Sequence, residues 1–245
     1  AYRAQPLLAL VLNSVCLYDS ICADKLNTWV KKYGQTLPTI IENLSTIETM
    51  MSASVVEVVF EQSSRPEFVE VSNENDNAYF LGDDILHPLL NRKTAVSNSI
   101  EIDHKIAIIT GSNMSGKTTL IRTVGVMCIL SYLGSYVPAK KVSLGRMRIV
   151  SSMRIVDSIK EEMSTFRAEL VRISNIVNAG RENKPMLFLI DEIFRGTNSA
   201  DRTDGAMEVL RSLSRPMVIG FMTTHDYALC DQAKEELDNI CYYHF

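Results

Sequence analysis

The sequence predicts an α/β fold in which a mostly parallel central sheet is flanked by helices, with a small helical segment ahead of it. From residue 78 onward, short β-rich runs alternate with longer helical runs, a pattern typical of parallel strands joined by crossover helices. Three runs are almost continuously apolar, as buried parallel strands are, and each ends at a polar group: residues 105–110, 186–190 and 217–222. Because ligands of such sheets bind at the carboxyl ends of the strands, all three ends point to one site.

Ahead of this pattern, residues 7–54 carry leucine, isoleucine and valine at helical spacings, which predicts two or three helices. Pro38 is expected to start one of them. Residues 61–77 are rich in Ser, Asn and Glu and are typical of a surface connection. We therefore divide the chain into a helical lead-in, residues 1–60, and a main α/β domain, residues 61–245.

Composition indicates a folded globular protein, with 46% hydrophobic and 22% charged residues. The formal net charge of -4 gives no general attraction to nucleic acid, so any DNA contact must be local or belong to another part of the protein. The five cysteines are widely spread, without zinc or disulfide spacing, which favours a reducing cytoplasmic location. The first apolar run, residues 6–18, lacks the basic start and cleavage site of a signal peptide and is too short to span a bilayer.

Residues 111–118 read GSNMSGKT and fit the pattern GxxxxGK(S/T), between an apolar run and an amphipathic one. Glycines let backbone N–H groups turn inward around phosphates at a helix N-terminus, where free donors and the helix dipole favour anions. We therefore expect a P-loop, in which Lys117 reaches the β and γ phosphates and Thr118 ligates Mg²⁺. The alternative is a chance match, which the flanking runs disfavour. The residues predicted to bind nucleotide here are Gly111, Ser112, Asn113, Met114, Ser115, Gly116, Lys117, Thr118 and Thr119.

Residues 186–192 form an apolar strand that ends in two acids, as a Walker B segment does. A buried strand end is an unfavourable place for paired carboxylates unless a cation or a reacting water uses them. We expect Asp191 to hold Mg²⁺ through water, and Glu192 to polarise the attacking water. The alternative is a pair that caps the next helix, which is more common for one acid than for two.

The third apolar run leads into Thr-Thr-His-Asp, residues 223–226. A strand adjacent to the Walker B strand ends over the same site, where His225 would sense the γ phosphate or steady the water. A lone histidine is more often structural, and that alternative stays open. The presence of the two other motifs favours the functional interpretation.

Four segments follow the order and spacing of one known family: residues 110–119, 163–166 together with Glu169, 191–198 and 223–225. They resemble the ATPase domain of MutS proteins. The Asn-Met pair inside the P-loop is a MutS-like detail that few other P-loop families share. The resemblance covers residues from about 40 to 240, and it includes residues 134–140 and the pair His87-Pro88.

This resemblance implies a P-loop NTPase fold of the ABC-like and MutS type that binds ATP with Mg²⁺. In that type, two domains pack head to tail as a homodimer, and each inserts a serine-bearing loop against the γ phosphate in its partner's site. Ser164 matches the catalytic serine that acts in trans, and His87 matches the segment before the nucleotide pocket. From the residues alone, Ser164-Thr165 is equally an N-cap of the helical stretch 166–177, and both roles can coexist. A base-stacking aromatic would be Tyr79 or Phe80, if the fold brings one there.

Three regions depart from the repair-type pattern or allow more than one interpretation. Residues 198–205 read NSADRTDG, which resembles the shorter MutS-related members that lack the mismatch-recognition domain. Residues 6–33 are similar to segments that follow membrane-spanning helices in some of those members, although an amphipathic helix under the core explains the same leucines. The basic region 140–154 suits either a nucleic-acid contact or the solvated face of a strand, and we favour the solvated face.

Together these features predict an ATPase that dimerises head to tail on ATP and drives a DNA-handling, mismatch-repair-like effector through parts outside this chain. One alternative is a nucleotide-gated scaffold with negligible turnover. Another is a membrane-associated MutS-like protein without mismatch recognition. A transporter-type ATPase is disfavoured, because the chain lacks an LSGGQ-like signature and carries Ser-Thr-Phe at 164–166, where the MutS-like motif belongs.

Overall fold

The computed structural model describes residues 6–69, 78–91, 93–153, 162–194 and 198–245. Its helices are α1 (Pro6–Cys16), α2 (Tyr18–Tyr33), α3 (Thr36–Val59), α4 (Lys117–Tyr132), α5 (Glu162–Arg181), α6 (Ser199–Leu213) and α7 (Tyr227–Glu236). Its strands are β1 (Glu67–Phe68), β2 (Tyr79–Ile85), β3 (Asn98–Asp103), β4 (Ile106–Thr110), β5 (Lys141–Leu144), β6 (Arg148–Ser152), β7 (Met186–Asp191), β8 (Val218–Thr223) and β9 (Ile240–His244).

The chain divides into two compact units, Ala1–Ser52 and Ala53–Phe245. The first contains α1, α2 and most of α3, which confirms the predicted helices, while the proposed domain division at residue 60 stays a prediction. Helix α3 begins at Thr36, so Pro38 lies in its first turn, where a missing N–H costs no hydrogen bond. None of the described helices combines the length and the apolar character needed to cross a membrane.

Helix α3 carries an exposed apolar stripe. Its apolar side chains recur every three or four residues, and none of its described side chains is buried. Exposed fractions along the stripe are 39% at Leu37, 57% at Ile40, 56% at Leu44 and 54% at Ile47. The first unit therefore does not form a core with these side chains.

The second unit is built around a five-stranded sheet with the order β6-β7-β8-β4-β9, in which every neighbouring pair is parallel. Strands β4, β7 and β8 match the three predicted runs to within one residue at each end, and each is nearly or completely buried. Thr223 pairs with Asp191 on one side and with Ile109 on the other. The carboxyl ends of these strands are therefore level at one edge of the sheet.

Helices cover both faces of this sheet, as the alternation of side chains along each strand requires. Ile109, Leu189 and Phe221 join one apolar cluster with residues of α4. Ile108 and Phe188 join a second cluster with residues of α5, α6 and α7. The structure thus confirms an α/β fold with a parallel sheet flanked by helices.

A second sheet of four strands, with the order β1-β5-β2-β3, was not predicted. Strand β1 pairs with β5 in parallel, whereas β2 pairs antiparallel with both β5 and β3. Its side chains Phe80, Ile102 and Leu144 pack into the same apolar cluster as α4. This sheet leads into the segment that carries His87, which follows β2.

Gly220 allows a close contact inside the parallel sheet, and its replacement tests the packing of that sheet. A Cβ atom at this position would lie 2.3 Å from the ring of Phe188, which pairs with it on the neighbouring strand and is fully buried. We expect Gly220→Ala to lower the free energy of unfolding by roughly 1–3 kcal/mol, because the overpacked ring must move. Urea denaturation measures this loss. The same substitution in a Phe188→Leu protein should cost less, and an equal cost would contradict the packing described.

Candidate functional site

The loop between β4 and α4 turns through three residues with positive φ. These angles are 143° at Gly111, 68° at Met114 and 107° at Gly116, and α4 begins at the next residue, Lys117. At Gly111 a side chain is also excluded by space, because a Cβ atom would lie 2.2 Å from the carbonyl oxygen of Phe245. The loop therefore delivers the free N–H groups of the first turn of α4 to the edge of the sheet.

Lys117 is folded back over this loop. Only 5% of the residue is exposed, and its Nζ donates hydrogen bonds to the carbonyl oxygens of Gly111, at 2.8 Å, and Ser112, at 2.6 Å. Within the described part of the chain, no carboxylate forms an ion pair with this ammonium group. The Ser115 hydroxyl of the same loop is buried and has no hydrogen-bond partner among the described residues. The loop thus combines a buried positive charge with an unsatisfied hydroxyl.

The Asp191 carboxylate joins the ends of three elements. Its Oδ1 accepts a hydrogen bond of 2.8 Å from the hydroxyl of Thr118 in α4 and another of 2.8 Å from the hydroxyl of Thr223 in β8. The Thr223 hydroxyl in turn accepts a hydrogen bond of 3.0 Å from the backbone N–H of Glu192. The motif at residues 223–226 contains Thr223, but no role of its own was predicted for this residue. The sequence feature that could have indicated the role is a hydroxyl at the end of a strand next to β7.

Glu192 and His225 face each other across the ends of β7 and β8. The Nε2 atom of His225 lies 2.7 Å from Oε1 of Glu192, and the side chains are 37% and 15% exposed. The backbone of Glu192 has a φ of 49°, in the left-handed region that costs a non-glycine residue of order 1–3 kcal/mol. The turn that carries His225 is fixed to β4, because the N–H of Thr224 donates to the carbonyl oxygen of Ile109 at 3.0 Å. The two predicted side chains are therefore brought together.

Glu169 of α5 holds the chain just beyond the two acids. Its Oε1 accepts a hydrogen bond of 2.7 Å from the N–H of Phe194, whose φ is 56°. The Phe194 ring packs edge-on against Phe166 of the same helix, with 6.4 Å between ring centroids. Helix α5 thereby supports the left-handed turn at Glu192.

The first turn of α5 contains Ser164. Because the helix begins at Glu162, Ser164 lies inside it, and the prediction that Ser164 caps a helix starting near residue 166 is wrong. Glutamate is a good helix former and its negative charge is favourable near a helix N-terminus, which extends the helix backward. The side chain of Ser164 lies outside the described part of the structure. Residues 195–197, which follow the two acids in the chain, also lie outside it.

His87 lies on the segment after β2, and its Nδ1 accepts a hydrogen bond of 3.2 Å from the N–H of Leu89. Burial and the guanidinium of Arg122, in α4, lower the pKa of His87 below its usual 6.5. Of the two aromatic residues considered for base stacking, Phe80 is completely buried in the core and is excluded. The Tyr79 hydroxyl donates to Glu101 at 3.0 Å.

The basic region beginning at Lys140 has the ion pairs of a solvated surface. Lys140 pairs with Asp83 at 3.0 Å, Lys141 with Glu67 at 3.1 Å and Arg148 with Glu182 at 3.1 Å. The alternating Val142 and Leu144 are buried. This confirms the predicted solvated face for the part of the region that is described, which ends at residue 153.

Replacing Thr223 tests the junction at Asp191. We expect Thr223→Val to lower the free energy of unfolding by roughly 1–3 kcal/mol, because the N–H of Glu192 loses its acceptor and Asp191 loses a donor. Chemical denaturation compares this variant with Thr223→Ser, which keeps the hydroxyl. A valine variant no less stable than the serine variant would contradict the described hydrogen bonds.

The pKa of His87 gives a pH test of its surroundings. We expect the ring to titrate below 6.5 in the folded protein and closer to 6.5 in an Arg122→Met variant, as followed by NMR. The folded state binds the His87 proton less readily than the unfolded state does. The free energy of unfolding therefore falls as the pH drops below the unfolded pKa near 6.5. An unshifted titration in both proteins would contradict the burial and the charge described.

Comparison with known proteins agrees with this architecture. The family described as MutS domain V matches residues 107–245, a range that contains the loop between β4 and α4, Asp191, Glu192 and His225. The DNA mismatch repair protein MSH3 of Scheffersomyces stipitis is 33% identical over 192 residues, covering 74% of this chain and 18% of that protein.

Two bacterial DNA mismatch repair proteins named MutS are similar over more of the chain. The protein of Finegoldia magna is 30% identical over 214 residues, covering 82% of this chain and 24% of its own length. The protein of Pseudothermotoga lettingae is 33% identical over 224 residues, covering 89% and 26%. This chain thus spans about a quarter or less of the length of these curated relatives. On the family match and these similarities, the chain belongs to the MutS family.

Proposed function

We propose that this chain is the P-loop ATPase domain of a MutS-family protein, and that it hydrolyses ATP to ADP and phosphate. The observation that carries the proposal is the meeting of P-loop, Walker B acids and His225 at the level ends of β4, β7 and β8. In parallel α/β sheets this edge is where ligands bind.

The phosphates are held by the loop between β4 and α4. Free N–H groups at the start of α4 and the helix dipole favour an anion there. The Lys117 ammonium, now bonded only to carbonyl oxygens among the described residues, gains a countercharge from the β and γ phosphates. The buried Ser115 hydroxyl gains a partner in the same step. In this proposal, His87 lies beside the phosphate pocket. The preference for adenine is inferred from membership of the MutS family.

Thr118 supplies an oxygen ligand for Mg²⁺, and Asp191 holds the ion through water. Their side-chain oxygens are 2.8 Å apart, and both are the hard donors that this ion prefers. Water and phosphate oxygens complete the coordination of such an ion. When bound, Mg²⁺ neutralises charge on the β and γ phosphates.

Glu192 is the general base of the reaction. Its carboxylate accepts a proton from the water that attacks the γ phosphorus, while the bond from that phosphorus to the β-bridging oxygen breaks. His225, at 2.7 Å, fixes one oxygen of the carboxylate. The left-handed turn at Glu192 and the Glu169 contact beyond it keep the base in place.

The catalytic unit is a homodimer in this proposal, with two ATPase domains packed head to tail and Ser164 acting in the partner's site. The relatives are named as DNA mismatch repair proteins, and we propose mismatch repair as the process that ATP drives. The formal net charge of -4 gives this chain no general attraction to DNA, so DNA is bound by other parts of the protein.

Steady-state hydrolysis tests the proposal. With Mg²⁺ and ATP, we expect the rate per chain to rise with protein concentration, because the sites form between two copies. Glu192→Gln should retain ATP binding and lose activity by about 100-fold or more, the lower range for a general base. Lys117→Ala should lose both binding and activity.

Glu182→Gln is the matched control. It makes the same change from carboxylate to amide, but Glu182 pairs with Arg148 at the opposite edge of the sheet, where β6 begins. Its activity should equal that of the unmodified protein. ATP binding with a flat rate near zero at all concentrations would instead identify a nucleotide-gated scaffold and refute Glu192 as a base.

A further inference from the structure

Asp226 is the centre of a set of hydrogen bonds that the catalytic roles above do not use. Its Oδ1 accepts from the N–H groups of Ala228, at 3.0 Å, and Leu229, at 3.4 Å, so it caps α7. Its own N–H donates to the Thr224 hydroxyl at 3.0 Å. Its second oxygen, Oδ2, is bonded by the hydroxyl of Thr203, which belongs to α6. One carboxylate thus joins α6 and α7 at the turn that carries His225.

This turn is fixed on both sides of His225. Before it, Thr224 is 7% exposed and bonds to the carbonyl oxygen of Ile109 in β4. After it, Asp226 is fixed by α7 and by Thr203. The imidazole itself is 37% exposed, and the contact described for it is the one to Glu192. Its position therefore depends on the backbone that carries it.

Thr203 is itself held firmly in the first turns of α6. Its hydroxyl lies 2.9 Å from the carbonyl oxygen of Ser199 and also contacts Asp226. The charged acceptor forms the stronger bond of the two. The helix start is capped by Asn198, whose side chain accepts from the N–H of Asp201 at 2.8 Å. Thr203 therefore offers Asp226 a rigid point of attachment.

Helix α6 begins shortly after Glu192 in the chain, so both members of the catalytic contact lead to the same helix. His225 is linked to α6 through Asp226 and Thr203, while the N–H of Glu192 bonds to Thr223 of β8. A shift of α6 relative to β8 would therefore alter the distance between imidazole and carboxylate. Small changes in such a distance have large effects on a reaction that depends on orientation.

We propose that Thr203 and Asp226 form a positioning pair that holds His225 against Glu192 during ATP hydrolysis. This inference rests on the proposed ATPase function. Neither residue touches the nucleotide in the proposal, and both act through His225. The pair would link the start of α6 to the catalytic carboxylate.

The test uses Thr203→Val, which keeps the shape of the side chain and removes the hydroxyl, with Thr203→Ser as the conservative control. We expect kcat to fall by roughly fivefold to tenfold in the valine variant with KM for ATP unchanged, since orientation and not binding is affected. The serine variant should restore kcat. In NMR spectra, the His225 ring resonances of the valine variant should move toward those of Glu192→Gln protein.

A double variant separates positioning from a general loss of stability. In a His225→Ala background, Thr203→Val should have no further effect on kcat, because the group it positions is gone. A loss that persists undiminished in that background would overturn the inference, and so would unchanged His225 resonances. If Glu192→Gln is inactive while Thr203→Val is fully active, the positioning role fails and the ATPase function stands. If the unmodified protein has no ATPase activity, the proposed function fails and the ring resonances decide the positioning role alone.

Discussion

The Asp191 carboxylate accepts hydrogen bonds from Thr118 and Thr223, and the remainder of the site is arranged around this junction. It joins the first turn of α4 to the ends of β7 and β8, which come from distant parts of the chain. An acid at a buried strand end is costly unless hydrogen bonds or a cation compensate it. Here two hydroxyls do so, and one of them also fixes the N–H of Glu192. The same contacts that stabilise the charge therefore position the neighbouring Glu192, the proposed base.

Part of the backbone strain lies where the chemistry is proposed. Of the seven described non-glycine residues with positive φ, three are here: Glu192, Phe194 and Met114, the last in the loop between β4 and α4. At Glu192 and Phe194 the surrounding structure provides specific support, since Thr223 and Glu169 bond to their N–H groups. A turn that left these N–H groups unpaired would lose stability and would aim the carboxylate elsewhere. This support comes from β8 and α5, so the site depends on elements on two sides of β7.

Structural features that depend on a continuous run of residues could be predicted from the sequence. Features that depend on pairing between distant segments could not. Continuous apolar runs identified β4, β7 and β8 because buried parallel strands have few polar positions. The four-stranded sheet was missed because β1 has only two residues and because the pairing of β1 and β2 with β5 joins segments far apart in the chain. The start of α5 was placed too late, since the Ser-Thr pair suggested a cap although Glu162 already lies in the helix. The role of Thr223 depends on its register with Asp191, which the sequence does not encode locally.

Strand β4 comes first among the five parallel strands in the chain but lies between β8 and β9 in the sheet. Thr110, at its end, contacts His244, which is 134 positions later. Closing so long a loop is entropically unfavourable before the contacts form, which makes such pairings slow. During synthesis, β4 thus has neither of its sheet neighbours until β8 and β9 have been made. An apolar strand of this kind, unpaired until then, is a segment that chaperones have reason to protect.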